Sequence, residues 1–347
     1  MSRRLFRYIR IFWVSCLVTF AILAAVWWQL GLNAAFIALL LIILEVTFSF
    51  ENAVINARVL AHMSHFWQQI FMTIGITIAV FGMRIVFPIV LVAITAYLPT
   101  WDVLQLALQR PEAYAHHLES AQPVIAAFGG MFLMMVAISY FVLENKENHW
   151  LKRSEALLHK LPNHWVTAPV LAFMILLLIT LTLGQHMWQT IMLAGIVGIF
   201  VYIIIHGLVM LMQSRQQIGE GRKELVGIGG FMAFLYLELL DASFSLDGVI
   251  GAFAITSSVI LIAAGLGVGA VWVRSLTVYV VRHKTLAKYI HLEQGAHWAI
   301  AILSVVLLLS FVVHLPEAIT GSLGVLTIVA SLISSLKRNK KALKEAL

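Results

Sequence analysis

Long apolar runs separated by short polar breaks set the pattern of this chain. Runs of helix length fall at about 11–31, 34–57, 68–98, 119–143, 167–184, 188–212, 228–254, 257–281, 295–313 and 316–336. Crossing a bilayer takes about 20 mostly apolar residues in helical form. The pattern therefore predicts an all-α polytopic membrane protein with about ten transmembrane helices. The first run is long, ends in bulky Trp27 and Trp28, and is followed by no small-residue cleavage site. It reads as a retained span, not as a signal peptide.

Composition sharpens this picture. The chain is 61% hydrophobic and 11% charged, against roughly 45–50% and about 25% in soluble domains. A soluble enzyme and a disordered chain are excluded, and no enzymatic activity is expected. Cys16 is the single cysteine, so neither an internal disulfide nor a thiolate metal site is available. The net charge of +7 raises nucleic acid as a partner, and its distribution removes it. With the N-terminus inside, 20 of the 23 Lys and Arg residues fall in cytoplasmic segments. Arg110 alone falls outside, and Arg84 and Arg274 lie within spans. That asymmetry is the positive-inside signature. It predicts a multi-pass protein of the inner (plasma) membrane with both termini cytoplasmic and the lipid bilayer as partner. The basic tail from Lys337 to Lys344 is expected near anionic lipid. Trp27, Trp28 and Trp101 on one side, with Trp150 and Trp165 on the other, read as aromatic belts.

The chain also repeats itself. EVTFSFENAVI (Glu45 to Ile55) aligns with DASFSLDGVIG (Asp241 to Gly251). Glu45 pairs with Asp241, Thr47 with Ser243, Ser49 with Ser245, and Glu51 with Asp247. GITIAVFGMR (Gly75 to Arg84) aligns with GLGVGAVWVR (Gly265 to Arg274), His117-Leu118-Glu119 with His291-Leu292-Glu293, and Leu161-Pro162 with Leu315-Pro316. Five spans repeat, so residues 1–186 and 187–347 are expected as two five-helix units of opposite orientation. Inverted repeats are an architecture of secondary transporters, with the site near the midplane. His117, Glu119, His291 and Glu293 are the gate candidates.

Glu45, Glu51, Glu238, Asp241 and Asp247 all fall where lipid would otherwise be. A charge at the bilayer centre costs roughly 2.5–3.5 kcal/mol, so these acids should face a cavity, a partner or a cation. Arg84 and Arg274 lie at similar depth and are expected to pair across the units, Arg84 with an acid of the seventh span and Arg274 with one of the second. The acids of one motif are six apart and point about 120° from each other on a helix, so a shared site requires local unwinding, which Asn52 and Gly248 would ease. Carboxylates, the hydroxyls of Thr47, Ser49, Ser243 and Ser245, and the Asn52 carbonyl are hard donors, suited to Mn, Mg or Ca. His206 reads as a packed residue, Gly129-Gly130 and Gly229-Gly230 as helix-packing sites, and the 144–164 loop as a solvated connector.

At SFENAV and at ELLDASFSLDGVIGAFAIT (Glu238 to Thr256) the sequence resembles the TerC family of integral membrane proteins, most closely its DUF475-type branch. The resemblance covers roughly 34–145 and 228–313. It implies kinship with LysE-type exporters and a metal site formed by Glu45, Glu51, Asn52, Glu238, Asp241 and Asp247. Glu51 stands where that pattern more often has Asp, and Gly248 where Ser is common. The expectation is a divalent-cation exporter, for manganese, working by alternating access, with the metal as substrate and no organic cofactor. The alternatives are an exporter of another small cationic solute and a non-transporting metal sensor or scaffold. An intramembrane aspartyl protease is disfavoured, because Asp241 and Asp247 share one span and the GxGD arrangement is missing. The sequence does not specify an oligomer.

Overall fold

A computed structural model describes residues 3–143, 149–158, 160–183, 187–219, 224–253, 255–310 and 317–345. Within its helices the side chains of 3–10, 143, 152, 157, 183, 212–219, 246, 247, 250, 317, 318 and 341–345 lie outside that description. The Leu315-Pro316 pair and the unit boundary near 186 also lie outside it.

The described residues are almost wholly helical, without a strand. In order they form α1 (Arg3–Leu30), α2 (Leu32–Phe48), α3 (Phe50–Leu60), α4 (His65–Thr77), a π-helical segment (Ile78–Val86), α5 (Phe87–Ala96), α6 (Thr100–Gln109) and α7 (Pro111–Leu143). There follow α8 (Lys152–Leu158), α9 (Thr167–Leu183), α10 (Trp188–Gly219), α11 (Gly227–Phe253), α12 (Val259–Arg282), α13 (Thr285–Lys288), α14 (Leu292–Leu309) and α15 (Glu317–Glu345). Eight described helices are long and apolar enough to cross a membrane. Two of the ten expected spans are different. The second is a bent pair, α2 and α3, at 53° to each other, and the fifth is the shorter apolar α9.

The bend has a local cause. Val46, Thr47, Phe48, Ser49 and Phe50 form a β-branched and aromatic stretch with weak helix propensity. Thr47 Oγ1 donates back to Ile43 O at 2.6 Å, a type of bond that bends helices. Ser49 leaves the helical region at φ −100°, ψ 19°. The break thus falls before Asn52 rather than at it, and α11 runs unbroken through Gly248. The third span carries the π-helical turns directly ahead of Pro88, whose ring and missing N–H disturb the preceding turn.

Close contacts fix how the helices run. Ser64 N donates to Leu225 O (3.0 Å) and Leu225 N to His62 O (2.7 Å), so the end of α3 meets the start of α11. Farther along, Asn52 Nδ2 donates to Asp241 Oδ1 at 2.7 Å. The two helices therefore run antiparallel. Gly230 lies against Trp67 and Gly75 against Glu238, so α4 and α11 run parallel. Gly265 lies against Leu41 and Gly269 against Glu45, so α2 and α12 run parallel. One apolar core joins α3, α4, α7, α9, α10, α11 and α14. A second joins α2, α5, α6, α7, α11 and α12. Trp27, Trp28, Trp101 and Trp165 are exposed, and His206 packs against the Tyr202 ring at 5.0 Å.

The 144–164 loop is not only a solvated connector. Its helix α8 buries Glu155, which accepts bonds from Trp298 Nε1 (3.3 Å) and Leu151 N (3.1 Å) and meets His149 Nδ1 at 3.0 Å. Mixed charge suggested solvation, yet three polar neighbours satisfy this one acid and let it dock. The basic tail, for its part, extends α15, with Lys337, Arg338 and Lys340 exposed.

Candidate functional site

Glu45, Glu51, Asn52, Arg84, Glu238, Asp241 and Arg274 are all buried, although their helices carry few other polar groups. Asp247 continues the backbone of α11, and its side chain lies outside the described residues.

Arg274, on α12, is 2% exposed. Its Nη2 bonds Glu238 Oε1 at 3.0 Å and stands 3.5 Å from Asp241 Oδ2. It also donates to Gly75 O (3.2 Å) and Phe71 O (3.4 Å), and its guanidinium lies 3.7 Å from the centre of the Phe71 ring. Arg84 holds Glu45 through Nη2 and donates Nη1 to Ala79 O at 2.7 Å. This corrects the expected crossing of the arginines. Each takes an acid from its own half, although the closest helix packing here is between halves, α12 against α2 and α11 against the π-helical segment; the long guanidinium arms span the gap.

The halves cross instead through glycines. A methyl added at Gly75 would come within 2.8 Å of Glu238 Oε1 and 3.0 Å of Arg274 Nη1. One at Gly269 would fall on the Glu45 side chain. Each glycine lets an acid of the other half lie against its helix backbone, the close approach that small residues permit between spans. The Asn52–Asp241 bond and the bonds from Arg274 to Phe71 O and Gly75 O cross between the halves as well.

Glu51 stands apart from both arginines. It occupies the first turn of α3, where the helix dipole favours a negative charge, and it faces α15. A methyl at Gly324 would meet its Oε1 at 3.1 Å. The hydroxyls divide unequally. Ser49 Oγ donates to Glu45 Oε1 at 3.1 Å, and Ser245 is buried. Thr47 is exposed and Ser243 Oγ donates to Leu239 O at 2.9 Å, so neither supports the acids. The gate candidates separate as well. Glu119 is exposed and His117 half-buried near the start of α7, whose Tyr114 meets Phe253 at the far end of α11. Glu293 pairs with Arg58 at the α3 end, and His291 bonds Gln294 at 3.0 Å. The two triplets thus sit at opposite ends of the bundle.

Several buried polar atoms here have no hydrogen-bond partner: Glu51 Oε2, Asn52 Oδ1, Arg84 Nε, Glu238 Oε2, Asp241 Oδ2, Ser245 Oγ and both amide atoms of Asn56. Asn56 was not among the expected residues. It lies one helical turn beyond Asn52, so the i, i+4 spacing could have found it. Among the described residues no group of three or more His, Cys, Asp or Glu side chains is close enough to hold a metal ion.

No curated protein and no solved structure gives a significant match to the chain. The sequence profile of the family described as "Protein of unknown function (DUF475)" matches residues 50–342, from the start of α3 almost to the end of α15. That stretch takes in Glu51, Asn52, Arg84, Glu238, Asp241 and Arg274 and stops short of Glu45, and by it the chain belongs to the DUF475 family.

Proposed function

We propose that the protein carries divalent cations across the inner membrane by alternating access, with the ion bound among the buried acids of α3 and α11. The observation that carries this reading is the set of buried oxygens left without hydrogen bonds on those helices: Glu51 Oε2, Asn52 Oδ1, Glu238 Oε2, Asp241 Oδ2 and Ser245 Oγ. Leaving such atoms unpaired costs about 1–3 kcal/mol each, and a bound cation would offset that cost. All are hard donors. Glu45, Glu51, Glu238, Asp241 and Asp247 set against Arg84 and Arg274 leave three negative charges, which one divalent ion and one proton neutralise.

In the arrangement described, guanidinium groups hold three of the acids. Entry of an ion would draw Asp241 away from Arg274, since its 3.5 Å contact is the looser of that arginine's two carboxylate contacts. A helix broken at Ser49 beside these acids fits the discontinuous spans of secondary transporters. The parallel runs of α4 with α11 and of α2 with α12 are those expected of ten spans in two inverted five-helix repeats. The resemblance to TerC-like and LysE-type proteins supports Mn²⁺ as the cargo, and the Lys and Arg distribution supports cytoplasmic termini.

One observation favours a second reading, export of a small organic cation. No three carboxylate or imidazole side chains stand together among the described residues, and an organic cation needs one acid rather than a chelating set. Inside-out vesicles loaded with a Mn²⁺-quenched dye separate the two. The first reading expects quenching by the wild type and none by Asp241→Asn. Equal quenching in both, or none in either with uptake of an organic cation, overturns it.

A further inference from the structure

A second polar cluster closes the end of the bundle where α3 finishes. Arg58, in the last turn of α3, donates Nε to Glu293 Oε1 of α14 at 2.8 Å. Its Nη1 lies 3.3 Å from His297 Nε2, one turn farther along α14. His297 Nδ1 lies 2.8 Å from Glu293 O, which can only accept, so Nδ1 carries the proton and Nε2 is left to accept from Arg58. The guanidinium also covers the Tyr140 ring of α7 at 4.8 Å. Tyr140 lies flat on His297, with ring centres 3.3 Å apart and planes 6° apart.

The depth of each group gives the cluster its direction. The side chains of Arg58 and Glu293 are 27% and 30% exposed, whereas Tyr140 and His297 beneath them are buried. Water therefore reaches the ion pair and stops at the ring stack. Two residues before Arg58 on α3 is Asn56, wholly buried, with neither amide atom hydrogen-bonded. Asn56 follows Asn52 by one turn, and Asn52 holds Asp241. Asn52 and Asn56, at i and i+4, share one face of α3.

We infer that Arg58, Glu293, His297 and Tyr140 form a lock that closes the path between the buried acids and water at this end, and that Asn56 lines the path behind it. Arg58 belongs to the first half and Glu293 to the second, so parting the halves here must break their pair. A partly exposed pair binds weakly, which suits a closure that opens repeatedly. An amide left unpaired in the closed state gains water when the lock opens. The inference rests on the transport reading for its purpose, not for its test.

The test needs no substrate. In a Cys16→Ser background, Asn56→Cys supplies the only thiol. A membrane-impermeant maleimide added to inside-out vesicles reads its exposure, against the same protein unfolded in detergent as full reactivity. With the lock intact, labelling should be slow. Glu293→Gln or Arg58→Gln should speed it about tenfold, the scale of a modest population shift. The exchange Arg58→Glu with Glu293→Arg should slow it again. Equal rates in all four proteins, slow or fast, would overturn the lock. If Asn56→Cys does not insert, Asn52→Cys takes its place as reporter with the same expected order. Lock-dependent labelling in a protein that moves no cation would keep this inference and overturn the transport reading. Lock-dependent labelling from right-side-out vesicles alone would overturn only the proposed orientation.

Discussion

The two motif-bearing regions began from closely matched sequences and folded differently. In the first, the second span breaks at Ser49 and the third widens into π-helical turns over Ile78–Val86. In the second, α11 and α12 run as unbroken α-helices through the aligned positions. Few residues account for this. Val46 and Phe50 align with Ala242 and Leu246, which are better helix formers. Pro88 aligns with Val278, which keeps its N–H and leaves the preceding turn intact. The lesson is a division of labour. The second half supplies a straight backbone, with Arg274 tied to two acids of its own half and to two carbonyls of α4, while the first half supplies the broken and widened helices.

That contrast can be broken most severely at the arginines. Losing one partner of a buried ion pair typically costs about 3–5 kcal/mol. Arg274→Met should reach that range, because it strands Glu238 and Asp241 and frees two carbonyls. Arg84→Met should cost less, since only Glu45 and Ala79 O lose a partner. Thermal unfolding in detergent orders the two. An Arg84 variant as damaged as the Arg274 variant would refute that difference between the halves.

The glycine crossings come next. Gly269→Ala places its methyl on the stem of Glu45 and should cost about 1–3 kcal/mol, as overpacking does. Gly75→Ala meets the ends of Glu238 and Arg274, with the Phe234 ring in ordinary contact at 3.4 Å, and side-chain ends give more readily than a stem. Its loss should be smaller in the same melting series, and the reverse order would mean that Glu45 is the mobile acid.

The smallest effect distinguishes the aligned serines. Ser49→Ala loses a bond to Glu45 worth about 0.5–1.5 kcal/mol. Ser245→Ala removes a hydroxyl with no partner, so it should leave the melting temperature unchanged or raise it.

Much of this was legible before any coordinates. Over its described residues each of the ten apolar runs is largely helical, and the buried acids and arginines lie on the expected helices. What escaped was set by neighbours. The apolar run 34–57 looks continuous because hydropathy does not register the propensity dip from Val46 to Phe50. Depth along a span placed Arg84 and Arg274 level with the acids, but depth does not choose a partner. The choice fell to the span next in sequence, and much of the crossing fell to glycines and backbone carbonyls, which carry no signal of their own in a sequence. Glu155 looked solvated for a related reason: its three hydrogen-bonding neighbours include Trp298, 143 residues away.

Equilibrium Mn²⁺ binding to the purified protein, read as loss of the free-ion EPR signal, tests the cation site itself. Wild type should bind one ion per chain at saturation. Asp241→Asn, Asp247→Asn and Glu51→Gln should each lose that binding, while Glu112→Gln, at an exposed acid in the first turn of α7, should keep it. Saturable binding that survives all three substitutions, or its absence from the wild type, would contradict a divalent-cation site among these acids.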